Sequence, residues 1–311
     1  MIILKNKKGV KGMVAHKLKK GDLIGVVCPS DRINEEDIPE INEAERLLKE
    51  KGYNVVFGQN VYKNTTGYGA SAKEKAEDIN YMYKNNDVKA IMSLKGGFNS
   101  NSVYEYLDLK VIKENNKIIC GYSDSTSYIN YIHSKTGNIG FIGPNFKSLN
   151  SPDTNYYSLD EMLKRFENNY YDLATDENEF KIIKEGKAEG ELIGGNLSLI
   201  TELVDEIDFT NKILFLEEFS FESPSAMVSN YLYRLRQKGI FKRISGIWLG
   251  NYEGDVSIEK ILLDTIEDMN LNIPIIKSDN FGHIERKITV PLGTKAKICD
   301  GKISLIEDYL N

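Results

Sequence analysis

From residue 22 the chain alternates short apolar runs with amphipathic stretches. Residues 22–28 (Asp-Leu-Ile-Gly-Val-Val-Cys) form a run typical of a strand buried on both faces, ending in Pro29-Ser30. Over 33–51, Ile38, Ile41, Ala44, Leu47 and Leu48 recur at helical spacing, and Gly52 stands where helices commonly stop. Residues 54–57 are a second β-branched run. Ser71, with Glu74 after it, predicts a capping box opening a helix to about Asn85. Residues 88–94 are a third strand, followed by Gly96-Gly97. Residues 117–120 are a fourth, running into Gly121 and a helix to about Lys135, and 140–142 make a fifth. Strands alternating with helices predict a mostly parallel sheet covered on both faces. Ligands of such sheets sit beyond the carboxyl ends of the strands, where the loops after Leu94 and Cys120 both lie.

The pattern weakens over 148–185, where Asn, Asp, Tyr and Glu dominate and one helix is expected at 159–166. Of the tyrosines there, Tyr156, Tyr157, Tyr170 and Tyr171, packing or exposure is the expected role for most, with stacking on a ligand as the alternative. From Lys181 the periodicity returns. A β-like run at 187–195 ends in Gly-Gly, a helix follows at 197–204, and 212–216 (Lys-Ile-Leu-Phe-Leu) is a buried strand. Residues 224–238 read as a helix with Pro224 in its first turn, ended by Gly239. Further strands are expected at 246–249 and 273–276. Then Ile288, Val290, Leu292, Ala296, Ile298, Ile303 and Leu305 alternate around turns at Gly293 and Asp300-Gly301. The organisation expected is an N-terminal α/β domain (1–150), a connecting segment (151–180) and a smaller β-rich C-terminal domain (181–311). A length of 311 residues agrees with two domains.

Composition narrows the function. With 41% hydrophobic and 28% charged residues the chain is of the folded, globular type. A net charge of −6 and a pI near 5.4 argue against a nucleic-acid polymer as partner. The basic run Lys5, Lys7, Lys8, Lys11, Lys17, Lys19, Lys20 is expected to be a solvated tail. No apolar stretch reaches membrane-spanning length, so no membrane association is expected. Three dispersed cysteines suit a reducing compartment, and the cytoplasm is the expected location.

Imidazole and thiolate are scarce: only His16, His133, His283, Cys28, Cys120 and Cys299 are available, which argues against a multi-ligand zinc site. The segment 117–133 has the layout of a nucleophile elbow, a buried strand entering Gly121-Tyr122-Ser123-Asp124-Ser125 and then a helix. On such a turn the Ser123 hydroxyl is pushed out of the sheet, and the N–H of Asp124 points where an oxyanion would form. The competing reading is a helix cap made by Ser123 or Thr126. A serine nucleophile needs a base and an orienting acid. His16 lies in the lysine-rich tail. His133 is ten residues beyond Ser123 on the same helix and points away. His283, in a loop beside Gly282, is the best base. The candidate acids are Glu217 and Glu218, at the end of the 212–216 run; alternation lets only one of them face a given site. The Gly96-Gly97 loop could supply a second oxyanion donor. A phosphate-binding loop is the rival for these glycines, but neither the dinucleotide nor the Walker pattern is present.

Together these segments resemble the LD-carboxypeptidase family of serine peptidases, and within it the microcin C immunity branch. The resemblance runs from about Lys19 to Ile306. It is carried by 18–22 with Pro29-Ser30; Gly96-Gly97-Phe98-Asn99-Ser100-Asn101 with Tyr106-Leu107-Asp108; Gly121-Tyr122-Ser123-Asp124; Gly143-Pro144; Gly194-Gly195-Asn196-Leu197-Ser198; Phe215-Leu216-Glu217; and Phe281-Gly282-His283 with Pro291-Leu292-Gly293. Gly-Gly-Phe-Asn-Ser-Asn and Ser223-Pro224-Ser225 point to the immunity branch. The resemblance implies Ser123 as nucleophile, Glu217 as acid and His283 as base. It implies an oxyanion hole from the N–H groups of Gly97 and Asp124, and substrate contacts at Gly96, Phe98 and Asn196. It implies a flavodoxin-like N-terminal domain, a small peptide or peptidyl-nucleotide substrate, a homodimer, and no metal or cofactor. The chain departs from the family pattern at Ile284-Glu285-Arg286, where Thr and Pro are usual after the histidine, at Lys95 in place of Arg, and at Ser125 in place of Ile. Its only tryptophan, Trp248, falls in a buried-looking strand. The expected activity is hydrolysis of an amide near a peptide C-terminus, on a microcin C-type compound or on a murein tetrapeptide. A non-catalytic binding protein on the same scaffold is the alternative from another class.

Overall fold

A computed structural model describes residues 14–151, 155–174 and 180–311. Lys5, Lys7, Lys8 and Lys11 lie outside these residues. The chain builds a mixed α/β fold on two sheets.

In the first sheet, β1 (Leu23–Val27), β2 (Asn54–Phe57), β3 (Val88–Ser93), β4 (Ile118–Gly121) and β5 (Gly140–Ile142) are all parallel, in the order β2-β1-β3-β4-β5. This is the flavodoxin-like order, with its switch point between β1 and β3. The apolar runs became strands because both faces are covered: every residue of β4 and all but one of β3 are buried. The helices between them are α1 (Ile38–Glu50), α2 (Ala72–Lys84), α3 (Leu109–Glu114) and α4 (Ser125–Thr136). Helix α1 buries Ile41, Ala44, Leu47 and Leu48, the stripe seen in the sequence. Helix α2 opens on the expected capping box, Ser71 accepting from the Glu74 N–H and Glu74 accepting from the Ser71 N–H. Beyond α4, helix α5 (Tyr157–Glu167) buries Leu159, Met162, Leu163 and Phe166.

The second sheet has the order β13-β12-β7-β8-β9-β10-β6, formed by β6 (Lys181–Lys184), β7 (Ala188–Asn196), β8 (Lys212–Glu217), β9 (Gly246–Leu249), β10 (Ile275–Lys277), β12 (Lys295–Cys299) and β13 (Lys302–Leu305). Strands β7 to β10 are parallel, while β6, β12 and β13 add antiparallel edges. Helices α6 (Leu197–Glu202), α7 (Ser225–Gln237) and α8 (Ile258–Ile266) connect them. Pro224 is the N-cap of α7, in extended conformation, one residue before the helix instead of within its first turn. Helix α8 was not anticipated, although Ser257 caps it and Ile258, Ile261 and Leu262 mark its buried face.

One strand crosses over. β11 (Val290–Leu292), which alternates like its neighbours in the C-terminal stretch, pairs antiparallel with β5 in the first sheet. Alternation identifies a strand but not its partner. The edge of β5 was open, and Pro291 is tolerated on an edge strand because no partner is needed on its outer side. The two sheets meet where α4 lies on β7. Thr126 Oγ1 accepts from the Asn196 N–H (3.2 Å), Asn130 donates to Gly194 O (2.9 Å), and His133 Nε2 meets Glu191 Oε1 (2.9 Å). These three side chains are spaced to share one face of a helix. No helix among the described residues is long and apolar enough to cross a membrane.

Candidate active site

Strand β4 ends at Gly121, and the chain turns at once into α4. Ser123 sits at the apex with φ of 58°, a left-handed conformation that a serine adopts at a cost in free energy of about 1–3 kcal/mol. The surroundings hold it there. The Tyr122 N–H donates to Asn145 Oδ1 (3.2 Å), and the buried Asp124 is fixed on both sides by Ser100. Ser100 N–H donates to Asp124 Oδ2 (2.9 Å) and Ser100 Oγ to Asp124 O (2.7 Å). Burial pushes the Asp124 carboxyl up to about 6, against the hydrogen bonds from Ser30 and Ser100.

The loop after β3 runs beside Ser123. A β-carbon on Gly96 would stand 3.1 Å from Ser123 Oγ, so a side chain there would crowd the hydroxyl. Gly97 has φ of 127°, and a β-carbon there would fall 2.4 Å from Asp31 Cγ. Only glycine satisfies both the conformation and the space. Asp31 pins the loop from behind by accepting the Phe98 N–H (3.1 Å).

The other half of the site comes from the second sheet. Glu217 is the last residue of β8 and is 1% exposed. Its Oε2 lies 2.7 Å from His283 Nδ1, and His283 Nε2 lies 3.1 Å from Ser123 Oγ. Gly282, with φ of 115°, allows this approach, since a β-carbon there would be 2.9 Å from Glu217 Oε2. The imidazole is held between two rings: Phe219 stacks on it at 4.7 Å and 18°, and Tyr122 meets it edge-on at 5.2 Å. Burial by itself would lower the His283 pKa. The charge and hydrogen bond of Glu217 outweigh it, Glu218 adds to them and Lys287 opposes them, and the net direction is upward from an ordinary histidine.

Glu218, the other candidate acid, turns the opposite way. It accepts from Ser198 N–H (2.8 Å) at the start of α6, from Asn196 Nδ2 (2.9 Å) and from its neighbour's N–H on Phe219 (2.8 Å). Strand alternation assigns the two glutamates to opposite faces. Burial, and then the Glu217 charge, raise the Glu218 pKa.

The remaining sequence-derived residues divide. Gly96 and Gly97 line the cleft over the site. Phe98 is 63% exposed, beyond the cleft lining, and Asn196 is buried behind the site with its amide on Glu218. His133 is at the far end of α4 with Glu191, and His16 is exposed. Tyr156, Tyr157, Tyr170 and Tyr171 stand away from the cleft, and Trp248 is buried with its indole N–H on Ser278 Oγ (2.8 Å). Burial drives the Cys28 thiol up to about 12 and the Cys120 thiol upward too, so neither is a thiolate near neutrality.

The cleft has a volume of about 580 Å³. Sequence reasoning missed several of its walls: Asp31, Asn145, Lys147, Phe219 and Lys287. Faint signals existed, since Asn145 follows Gly143-Pro144 and Phe219 stands two residues beyond Glu217. Lys147 and Lys95 share the buried Asp37, and Lys147 also reaches Glu40 (2.9 Å). Burial alone would raise the Asp37 carboxyl, but the Asn34 N–H and the two ammonium groups bring it down to about 2.

A serine hydroxyl, an imidazole and a buried carboxylate are joined in this sequence on a strand–turn–helix elbow, the arrangement found in serine-hydrolase sites. Residues 24–143 match the LD-carboxypeptidase N-terminal domain and residues 189–298 the LD-carboxypeptidase C-terminal domain. The chain is 30% identical to the Bacillus subtilis protein named "Probable murein peptide carboxypeptidase", over 90% of this chain and 89% of that one. It is also 30% identical to the Escherichia coli microcin C7 self-immunity protein MccF, over 96% of this chain and 97% of that one. The structure of wild-type apo MccF superposes with a TM-score of 0.89 at 28% identity, covering 96% of this chain and 100% of that chain. The muramoyltetrapeptide carboxypeptidase of Oxalobacter formigenes shares the fold, with a TM-score of 0.74 over 93% of this chain and 100% of that one, at 24% identity. This chain belongs to the LD-carboxypeptidase family.

Proposed function

We propose that the protein is a serine peptidase that hydrolyses an amide at the C-terminal end of a small peptide or peptidyl-nucleotide. The observation that carries this reading is the continuous hydrogen-bonded path Ser123–His283–Glu217 at the foot of an open cleft. In the proposed mechanism Ser123 Oγ attacks the scissile carbonyl while His283 Nε2 takes its proton. Glu217 holds the imidazole in the tautomer with the proton on Nδ1 and stabilises the imidazolium that forms. The N–H groups of Asp124 and Gly97 receive the oxyanion; donors of this kind contribute about 3–4 kcal/mol each to lowering the barrier. His283 then protonates the leaving nitrogen, and water, activated by the same imidazole, releases the acyl group from Ser123.

For the substrate we favour a microcin C-type peptidyl-nucleotide, so that the enzyme detoxifies such compounds. The support is the close superposition on MccF, which has been solved with aspartyl sulfamoyl adenosine and with glutamyl sulfamoyl guanosine. A murein tetrapeptide losing its terminal D-Ala is the second reading, supported by identity to the B. subtilis murein peptide carboxypeptidase. The test is to offer the purified protein a murein tetrapeptide and an aspartyl-adenylate analogue and to follow cleavage by mass spectrometry. Release of aspartate favours the first reading and release of D-Ala the second. Cleavage of neither, with no serine-directed phosphonate bound to Ser123, would sink the enzyme reading in favour of a binding protein.

A further inference from the structure

We propose that Lys287 sets substrate class: its ammonium receives a negative charge carried immediately beyond the scissile amide, on the leaving side. This rests on the serine-peptidase reading and names the chemistry of the group that departs.

Among the described residues three lysines line the cleft, and two are already neutralised. Lys95 is 2.8 Å from Asp37, and Lys147 pairs with Asp37 and Glu40. Lys287 is different. The residue is 5% exposed, yet among the described residues no carboxylate pairs with its ammonium, which lies 3.8 Å from the centre of the Tyr122 ring. An ammonium removed from water on to a ring face keeps most of its capacity to bind an anion. Its position is fixed. The Lys287 N–H donates to Ser158 Oγ (3.0 Å), and Ser158 in turn donates to Glu285 O (2.6 Å), tying the segment after His283 to α5. Tyr122, the ring beneath the ammonium, immediately precedes Ser123 and lies edge-on to His283 at 5.2 Å. The charge is thus held at the side of the cleft where His283 must deliver a proton to the leaving group.

Electrostatics makes the same demand. Lys287 opposes protonation of His283, the step on which attack by Ser123 depends. A neutral leaving group leaves that repulsion in place. An anion on Lys287 cancels it, so selectivity for charge enters the rate as well as the affinity. Two substrate classes carry such a charge. A C-terminal residue has its carboxylate three bonds from the scissile carbonyl carbon; an acyl sulfamate bears the charge on the nitrogen bonded to that carbon, and an acyl phosphoramidate on phosphoryl oxygens three bonds away. An internal peptide bond carries none there, so the residue selects C-terminal cleavage.

The test compares wild type, Lys287→Met and Lys287→Arg on a tetrapeptide ending in free D-Ala, on the same peptide as its C-terminal carboxamide, and on aspartyl sulfamoyl adenosine. Wild type is expected to prefer the acid over the carboxamide by roughly 10–100-fold, the range of a hydrogen bond to a charged group. Lys287→Met loses that preference by slowing on the acid, while its rate on the carboxamide holds or rises because the repulsion of the His283 imidazolium is relieved, and Lys287→Arg keeps it. If only the sulfamoyl nucleoside is turned over, the source of the anion is the acyl sulfamate, and Lys287→Met must slow its cleavage. The same compounds are titrated calorimetrically into Ser123→Ala protein with and without Lys287→Met. This arm reads the charge preference without hydrolysis, so failure of the peptidase reading and failure of this one are separated. Anion preference that survives Lys287→Met, equal loss on acid and carboxamide, or no preference for the anion in Ser123→Ala protein would each overturn the proposal.

Discussion

His283 Nε2 stands 3.1 Å from Ser123 Oγ, although the two residues are 160 positions apart in the chain and are presented by different sheets. The contact exists because the carboxyl ends of β4 and β8 face the same cleft, and because α4 is fastened to β7 along one face. The geometry of one hydrogen bond therefore depends on how two sheets are docked, and most of the expected outcomes below follow from that dependence.

Ser123→Ala should lower kcat by at least about 10³-fold, the usual cost of removing a nucleophile whose partners act as a unit. His283→Ala should fall by a comparable factor, and the double variant little further. Labelling by a serine-reactive phosphonate, read by intact-mass spectrometry, should disappear in both single variants. Retention of full turnover by Ser123→Ala would remove the serine from the mechanism.

Glu217→Gln keeps the shape but removes the charge that raises the His283 pKa. The acidic limb of kcat/KM, which reports His283 losing its proton, should move to lower pH, and kcat should fall by up to about 10⁴-fold. Glu218 also raises the His283 pKa and Lys287 lowers it, and both are unchanged in this variant. The sign for stability is opposite to that for activity. A histidine whose folded pKa exceeds its unfolded value of about 6.5 contributes stability below that pH and loses it as pH rises through the folded value. Thermal melts of wild type minus Glu217→Gln should show the difference shrinking across that window.

Gly97→Ala and Gly282→Ala each force a side chain into a left-handed position and into contact, with Asp31 at 2.4 Å or with Glu217 Oε2 at 2.9 Å. The backbone cost alone is of the order of 1–3 kcal/mol. Activity should fall more than stability, because the first variant displaces the proposed oxyanion donor and the second displaces His283. A variant whose melting temperature and kcat are both within error of wild type would show that the loop is not held as described.

Glu191 is the hinge pin of the sheet interface, with His133 Nε2 at 2.9 Å and Lys212 on the same oxygen. Burial raises its pKa, but His133 and Lys212 overcome that and hold it down to about 2. Its contribution to stability is present above the unfolded value of about 4.3 and is lost as pH falls toward 2. Glu191→Gln should therefore melt lower than wild type at pH 7, and the two curves should converge on acidification. A constant gap from pH 7 to pH 3 would refute the assignment.

Much of the first sheet was legible because each strand is short, apolar and bounded by glycine or a cap. Five strands in order, the Ser71–Glu74 capping box and the elbow at Ser123 are all properties of neighbouring residues, which is where sequence pattern has its force. The choice between Glu217 and Glu218 was not open to that logic. Alternation says that they face opposite ways, and only the position of α6, whose Ser198 N–H Glu218 receives, says which way is inward. Helix α8 carries its own local signals, the Ser257 cap and the buried stripe Ile258, Ile261 and Leu262.

Local structure and the inventory of chemistry follow from the order of residues alone: two runs of alternating strands and helices, a serine on a turn, and three histidines. Which groups meet is a property of the assembled fold. β11 left its neighbours for the open edge of β5, Asn196 turned behind the site, and the Lys287 ammonium came to rest on Tyr122 without a carboxylate among the described residues. Strand formation is settled by hydrogen bonding and burial over a few residues. Those three outcomes depend on surfaces that exist only after the two sheets have docked.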